Sequence, residues 1–272
     1  MSRLLDLIRE RKVYDLAQPY FPGMPHFPTH PPFLFGLTRK HGDLMLEGGV
    51  SSSADSIALG GHVGTHIDAL CHFSCDGRLY GGVDAGAVQS DSAGFAELSV
   101  DTIAPILRRG VLLDVAAEMN VDALPVDFGI TPDHLDAALR TAKTTIQPGD
   151  VVLLRTGWAR HFSDFAQFVT GGRGLSPARQ GAAGPGPELE AARWLSERRV
   201  FAAGSDTLAF EKVPAARMPV HVHLLVESGI HIIEALDLEE LSRDRVYEFV
   251  FVGAPLKIRG GTGAPMRPLA LG

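Results

Sequence analysis

The sequence predicts an α/β fold, a single domain spanning residues 1–272 with a mixed sheet and flanking helices. Short apolar runs recur at 110–117, 151–154, 199–203 and 246–252, each suited to a buried strand. Helical periodicities lie between them at 131–142 and about 188–199. Strands separated by helices require crossovers, so at least part of the sheet is parallel. The chain has 272 residues with 45% hydrophobic content, enough for one large core.

Taken in order, residues 2–10 read as a short amphipathic helix, with Leu4, Leu5 and Ile8 on one face. Six prolines between Pro19 and Pro32 remove backbone donors and fix φ. That stretch is expected as a semi-rigid arm within residues 1–45, either a surface lid packed by its own aromatics or a wall of a binding site. Gly110–Ala117 is the first buried strand. Thr131 caps the next helix, Pro132 takes its first position, and Leu135, Ala138, Leu139 and Ala142 form its inner face. Pro148-Gly149-Asp150 turns the chain into the strand Val151–Leu154. A Gly/Pro/Ala-rich connection at 171–187 precedes the second helix, with Leu189, Ala192 and Leu195 inward. Strands at 199–203 and 246–252 follow.

The charge balance, 25 Lys+Arg against 32 Asp+Glu for a net −7, has no basic stripe. It argues against nucleic acid and anionic membrane surfaces as partners, since phosphate binding needs a basic footprint. Asp6 and Glu10 interrupt the first apolar residues, so no signal-peptide core is expected, and no run approaches the roughly 18 apolar residues of a membrane helix. The two cysteines cannot form a disulfide framework, which points to a reducing cytoplasm.

The chemistry concentrates in residues 62–72, HVGTHIDALCH, which hold three of the eleven histidines together with Asp68. His62, His66, Asp68 and His72 all occupy even positions, so an extended chain aims them at one side. On a helix His62 and His66 would lie about 40° apart, with Asp68 and His72 in another sector. In either geometry His62, His66 and Asp68 can converge if the chain bends. Gly60, Gly61 and Gly64 give the backbone freedom to bend them towards one point. Two imidazoles and a carboxylate are a donor set for a divalent metal with an open position. A closed structural zinc site would need a further tight ligand such as Cys71 or Cys75. No second Cys/His pair at finger spacing exists, and both cysteines are read as small packing residues. The glycine clusters 171–174 and 260–263 do not open helices with Lys-Ser/Thr and are read as turns.

His62-Val-Gly-Thr-His66-Ile-Asp68, followed by His72, resembles the signature His-x-Gly-Thr-His-x-Asp-x-Pro-x-His of the metal-dependent cyclase family. That family includes bacterial kynurenine formamidases and isatin hydrolases. Leu70 stands where proline is usual, and Ala69-Leu70 is closer to the longer hydrolases. Further similar blocks are 76–82, 109–115, 154–158, 204–207, 219–221 and 229–234. The resemblance implies a swivelling β/β/α-type domain and a homodimer or homotetramer in which the N-terminal arm reaches a neighbour. It implies Mn²⁺ or Zn²⁺ held by His62, His66 and Asp68, with His221 and Glu234 completing a second metal site or lining the reaction centre. His72 is expected to carry protons, and His223 and His231 to be half-exposed polar positions on a helix and a strand.

Such a cation lowers the pKa of its water from about 16 towards 7 and polarises a carbonyl. Hydroxide attack then opens an amide, and a histidine near pKa 6.5 can protonate the leaving nitrogen. Neither a Gly-x-Ser-x-Gly elbow nor a His-Glu-x-x-His helix is present. Trp158, Phe73 and the arm residue Phe27 are expected to wall a pocket for a small cyclic or aryl amide, an isatin-like lactam or an N-formylkynurenine-like molecule. Two other readings stand beside this one: a lyase or cyclase stabilising an enolate with the same metal, and a non-catalytic metal-stabilised binding protein.

Overall fold

The structure, a computed structural model, describes residues 10–174 and 181–272. All but the last residue of the helix expected over 2–10 lies outside the described residues, as does part of the 171–187 connection. Fifteen strands form among the described residues. In chain order they are β1 (Val13–Asp15), β2 (Leu34–Arg39), β3 (Ala54–Ala58), β4 (His66–Asp68) and β5 (Gln89–Ser90). Next come β6 (Gly94–Phe95), β7 (Ile106–Asp114), β8 (Gly129–Ile130), β9 (Val151–Arg155) and β10 (Gly186–Pro187). The last five are β11 (Ala202–Ser205), β12 (His231–Glu234), β13 (Glu248–Gly253), β14 (Gly263–Pro265) and β15 (Leu269–Leu271).

Nine of them make one sheet in the order β1-β15-β13-β7-β9-β11-β12-β4-β14. The centre, β7-β9-β11-β12, is parallel, and the pairs towards both edges are antiparallel. This is the expected mixed α/β domain. Leu112, Leu153, Gly204 and Ile233 lie in one row across the four parallel strands. A Cβ on Gly204 would sit 3.0 Å from both Ile233 and Leu153, so glycine lets the row pack tightly there.

Both faces of the centre are buried, which is why its strands read as unbroken apolar runs. Leu112, Val151, Leu153 and Ile233 join Phe249 and Phe251 on one face. Val111, Leu113, Val152, Leu154 and Ile232 face the helices on the other. The helix Pro132–Ala142 contributes Leu135 and Ala138 to that layer, and Leu189–Glu197 contributes Ala191, Ala192 and Leu195. His134 Nδ1 accepts from the Thr131 amide at 3.1 Å, which closes the start of the first helix.

The strand expected over 110–117 begins four residues earlier and stops at Asp114. Asp114 caps a short helix, Val115–Glu118, accepting from the Ala117 amide at 3.0 Å, so the apolar run continues into a different element. The strand expected at 199–203 starts only at Ala202, because Arg199 takes a left-handed φ of 54°. The proline-rich arm is irregular but anchored: His26 bridges Val63, Tyr20 Oη donates to the Val63 and Thr65 carbonyls at 2.8 and 2.9 Å, and Met24 is buried against Val63 and Trp158. From it β2 and β3 rise as a two-stranded ribbon. No helix among the described residues is long and apolar enough to cross a membrane.

Candidate metal centre and active site

The antiparallel edge β12–β4–β14 carries the clustered histidines. His66 and Asp68 are two apart on β4 and therefore share a face. Register places Glu234 of β12 directly opposite His66, which brings a second carboxylate to that face. His62 enters from the turn before β4. Its ring fits only because its neighbour across the edge is Gly263, where a Cβ would lie 2.5 Å from His62 Cε1. Gly64, at φ 65°, turns the chain into β4, and a Cβ there would meet the Tyr20 ring at 2.7 Å.

Two donor groups result, His62/Asp68/His72 and His66/Asp68/Glu234, with the ligand atoms of each within 4.8 Å of one another. Asp68 belongs to both. His66 and His62 are each oriented through the far nitrogen. His66 Nδ1 donates to the Gly64 carbonyl at 2.8 Å, leaving Nε2 for the site. His62 Nε2 meets Thr262 Oγ1 at 2.9 Å, leaving Nδ1 2.7 Å from Asp68 Oδ1.

Fit to a cation can be tested on these atoms. His66 Nε2 and Asp68 Oδ2 are buried without a hydrogen-bond partner. His66 Nε2 lies 3.4 Å from both Asp68 Oδ1 and Glu234 Oε2, ion-pair distances that lack the direction of a hydrogen bond. Burial would lower the pKa of His66, yet Asp68 and Glu234 outweigh it and raise the group to about 10. His221 is likewise pushed up to about 10, burial being overridden by Glu211 and Glu234. Despite burial, the surrounding histidines hold Asp68 well below the usual carboxylate range. Burial opposes ionisation of Glu234 too, but His221 and His66 bring it down to about 2. The cluster demands positive charge, and a divalent cation on imidazole and carboxylate donors meets that demand.

His72 stacks on His62, the ring centroids 3.7 Å apart. Burial pushes it down to about 3, so it is neutral at pH 7. His62, His72, His221 and Glu234 all face a cavity of about 330 Å³ whose apolar walls include Phe27, Phe73, Leu208 and Met218. Larger depressions of about 680 and 960 Å³ lie elsewhere, and none of these histidines lines them.

Phe27 and Phe73 therefore stand at the cavity as expected, and the arm forms part of its wall. Trp158 does not. It is 2% exposed, packs with Phe162 and Phe168, and its indole donates to the Phe168 carbonyl at 3.0 Å. Asp206 directs it there, accepting from Thr156 Oγ1 at 2.6 Å and from the Thr156 and Gly157 amides at 2.8 Å, which turns the chain inward. Cys71 is buried as expected, but Cys75 is exposed in a turn with Arg78 and packs no core. His223 pairs with Ser196 and Glu227 on a helical segment, whereas His231 Nδ1 meets the Asp68 carbonyl at 3.0 Å and so supports the edge.

Sequence reasoning assigns no role to His30, Thr262 or Glu211. His30 lines the cavity, with its ring 5.4 Å from that of His62. Its place in the arm, four residues before the ribbon, is its only signal in the sequence.

The Cyclase family profile matches residues 14–212. An isatin hydrolase from Roseibium aggregatum is 30% identical over 221 residues, covering 79% of this chain and 73% of the relative. Among solved structures, one described as a novel cyclase is 29% identical with a TM-score of 0.86, covering all of this chain and 90% of its own. Isatin hydrolase A from Ralstonia solanacearum is 28% identical with a TM-score of 0.74, covering 99% of this chain and 95% of its own. With the family profile, a hydrolase relative and a buried His/Asp/Glu donor set in agreement, the chain belongs to the cyclase family as a metal-dependent hydrolase.

Proposed function

We propose that the protein hydrolyses the C–N bond of a small cyclic or aryl amide, an isatin-like lactam or an N-formylkynurenine-like molecule, with bound Mn²⁺ or Zn²⁺. The observation that carries this reading is the pair of orphaned buried atoms, His66 Nε2 and Asp68 Oδ2, beside a cavity walled by Phe27 and Phe73. When bound, the cation supplies an acidified water and a polarised carbonyl. The chain does the rest. His66, Asp68 and Glu234 would hold an ion, with His62 in the second donor group that shares Asp68, and Thr262 and the Gly64 carbonyl keep the two imidazoles turned towards Asp68. The apolar walls bury a flat ring and exclude competing water. Neutral His72 offers a lone pair to the cavity. Its low pKa makes it a weak base, and once protonated a strong acid towards the leaving nitrogen.

Chelator-stripped protein is expected to lose hydrolysis of isatin or N-formylkynurenine and to regain it on addition of Mn²⁺ or Zn²⁺. The panel includes cyclic imides and lactones, with metal content measured in parallel. Products formed in labelled water should carry its oxygen. Full activity in the stripped protein sinks the reading, and an unlabelled product replaces hydrolysis with a lyase step. The free cysteines Cys71 and Cys75 suit the reducing cytoplasm proposed as its compartment.

The partner proposed for the ribbon is a second copy of the chain. Leu34, Phe35, Leu37 and Ile57 stand 48–58% exposed on strands that pair only with each other. An isolated two-stranded ribbon is marginal in water, and exposed apolar side chains on both of its faces, Phe35 beside its cross-strand partner Ile57 on one and Leu34 on the other, support an interface. The ribbon springs from the mouth of the cavity, between His30 and His62, so a copy seated on it would border the site. Light scattering should find a dimer or tetramer, reduced to monomer by Phe35→Glu with Ile57→Glu. A wild-type monomer at micromolar concentration overturns this.

A further inference from the structure

Glu211 has no part in the reading above, yet its carboxylate is only 2% exposed and makes three contacts to one short segment. Oε2 lies 2.8 Å from His221 Nδ1, Oε1 accepts from the Val220 amide at 3.1 Å, and Oε2 accepts a longer bond from the His221 amide at 3.4 Å. The backbone behind it is held firmly. Lys212 N donates to the Pro187 carbonyl at 3.3 Å and Val213 N to the Gly184 carbonyl at 3.1 Å. Gly186 packs so closely that a Cβ there would lie 2.3 Å from the Glu211 carbonyl carbon.

With Nδ1 engaged by Glu211, the opposite nitrogen of His221 points at Glu234, Nε2 to Oε1 being 3.1 Å. That same Oε1 accepts from the Phe210 amide at 2.6 Å, and Phe210 is the residue next to Glu211. Oε2 of Glu234 is left facing His66 Nε2 at 3.4 Å. One rigid segment therefore reaches the metal-side carboxylate by two routes, through the Phe210 amide and through the Glu211–His221 pair.

We infer that Glu211 is a positioning residue for the metal centre: it fixes the ring of His221, and His221 in turn braces Glu234 so that Oε2 is presented to the cation. The inference rests on the metal-dependent reading of the site. Groups that orient a ligand from behind in this way typically change metal affinity by about 10–100-fold when removed.

The test compares wild type, Glu211→Gln and Glu211→Ala, each stripped of metal and titrated with Mn²⁺, the free ion being read by electron paramagnetic resonance. ¹⁵N-histidine spectra and melting curves of the metal-free proteins accompany the titration. Glu211→Ala is expected to bind Mn²⁺ about 10–100-fold more weakly and to shift the His221 ring nitrogens. Glu211→Gln should fall between, because an amide oxygen still accepts from Nδ1–H but lacks the charge. Should the alanine variant fail to fold, the glutamine variant reads the same quantities. Mn²⁺ affinity equal to wild type in a folded variant overturns the inference, as does a lowered melting temperature with affinity and the His221 signal unchanged. A wild type that binds neither Mn²⁺ nor Zn²⁺ overturns the metal-dependent reading itself, a result distinguishable from both.

Discussion

Asp68→Asn is expected to lower kcat/KM on the best amide substrate by on the order of a thousandfold or more, with bound metal falling in parallel. Asp68 is the one residue common to both donor groups. Its Oδ1 lies 2.7 Å from His62 Nδ1 and 3.4 Å from His66 Nε2, while Oδ2 is buried without a partner. Asparagine keeps the shape and removes the charge, and its amide turns two donors towards groups that must face a cation. Loss of about 4 kcal/mol of transition-state stabilisation corresponds to that thousandfold, since each 1.36 kcal/mol is a factor of ten. Steady-state kinetics and metal content per chain check it together. Activity within tenfold of wild type, at equal metal content, would remove Asp68 from the centre.

The shared face of His66 and Asp68 is legible in the amino-acid sequence only for an extended chain, one of the two geometries the spacing allows, and β4 decides for it. Even spacing puts His66 and Asp68 on one side of an extended chain, and β4 places them there. Three of the four central strands are legible for a related reason: burial on both faces leaves no polar alternation, so the runs at 110–117, 151–154 and 199–203 stand out, each displaced at its ends from β7, β9 or β11. Periodicity, however, gives a face and not a partner. Glu234 meets His66 because β12 pairs antiparallel with β4 across more than 160 residues, a register that no local pattern encodes. It is reachable only through resemblance to a family. Thr262 and Glu211 carry no signal, since each acts through contacts made possible by the close approach of a distant segment. Strand ends escape periodicity where one capping carboxylate, Asp114, converts an apolar run into a helix.

Trp158→Ala is expected to cost stability and leave substrate binding alone, the reverse of what an aromatic pocket wall would do. The indole is 2% exposed among Phe162, Phe168 and Val169, away from the cavity. Emptying such a site removes about 3–5 kcal/mol, the transfer term plus the cavity left behind. For a domain of this size that lowers the melting temperature by roughly 10 °C. Trp158→Phe keeps most of the packing but orphans the Phe168 carbonyl, which the indole N–H serves at 3.0 Å. A buried carbonyl without a donor costs about 1–3 kcal/mol, so the phenylalanine variant should fall between alanine and wild type. Phe73→Ala is the contrasting change. Its ring lies 4.9 Å from both His72 and His221 at the cavity, so KM should rise with the melting temperature little altered. If Trp158→Ala raised KM and melted like wild type, the tryptophan would have to reach the substrate after all. Its inward turn is set by three hydrogen bonds to buried Asp206, which makes that outcome incompatible with the fold as it stands.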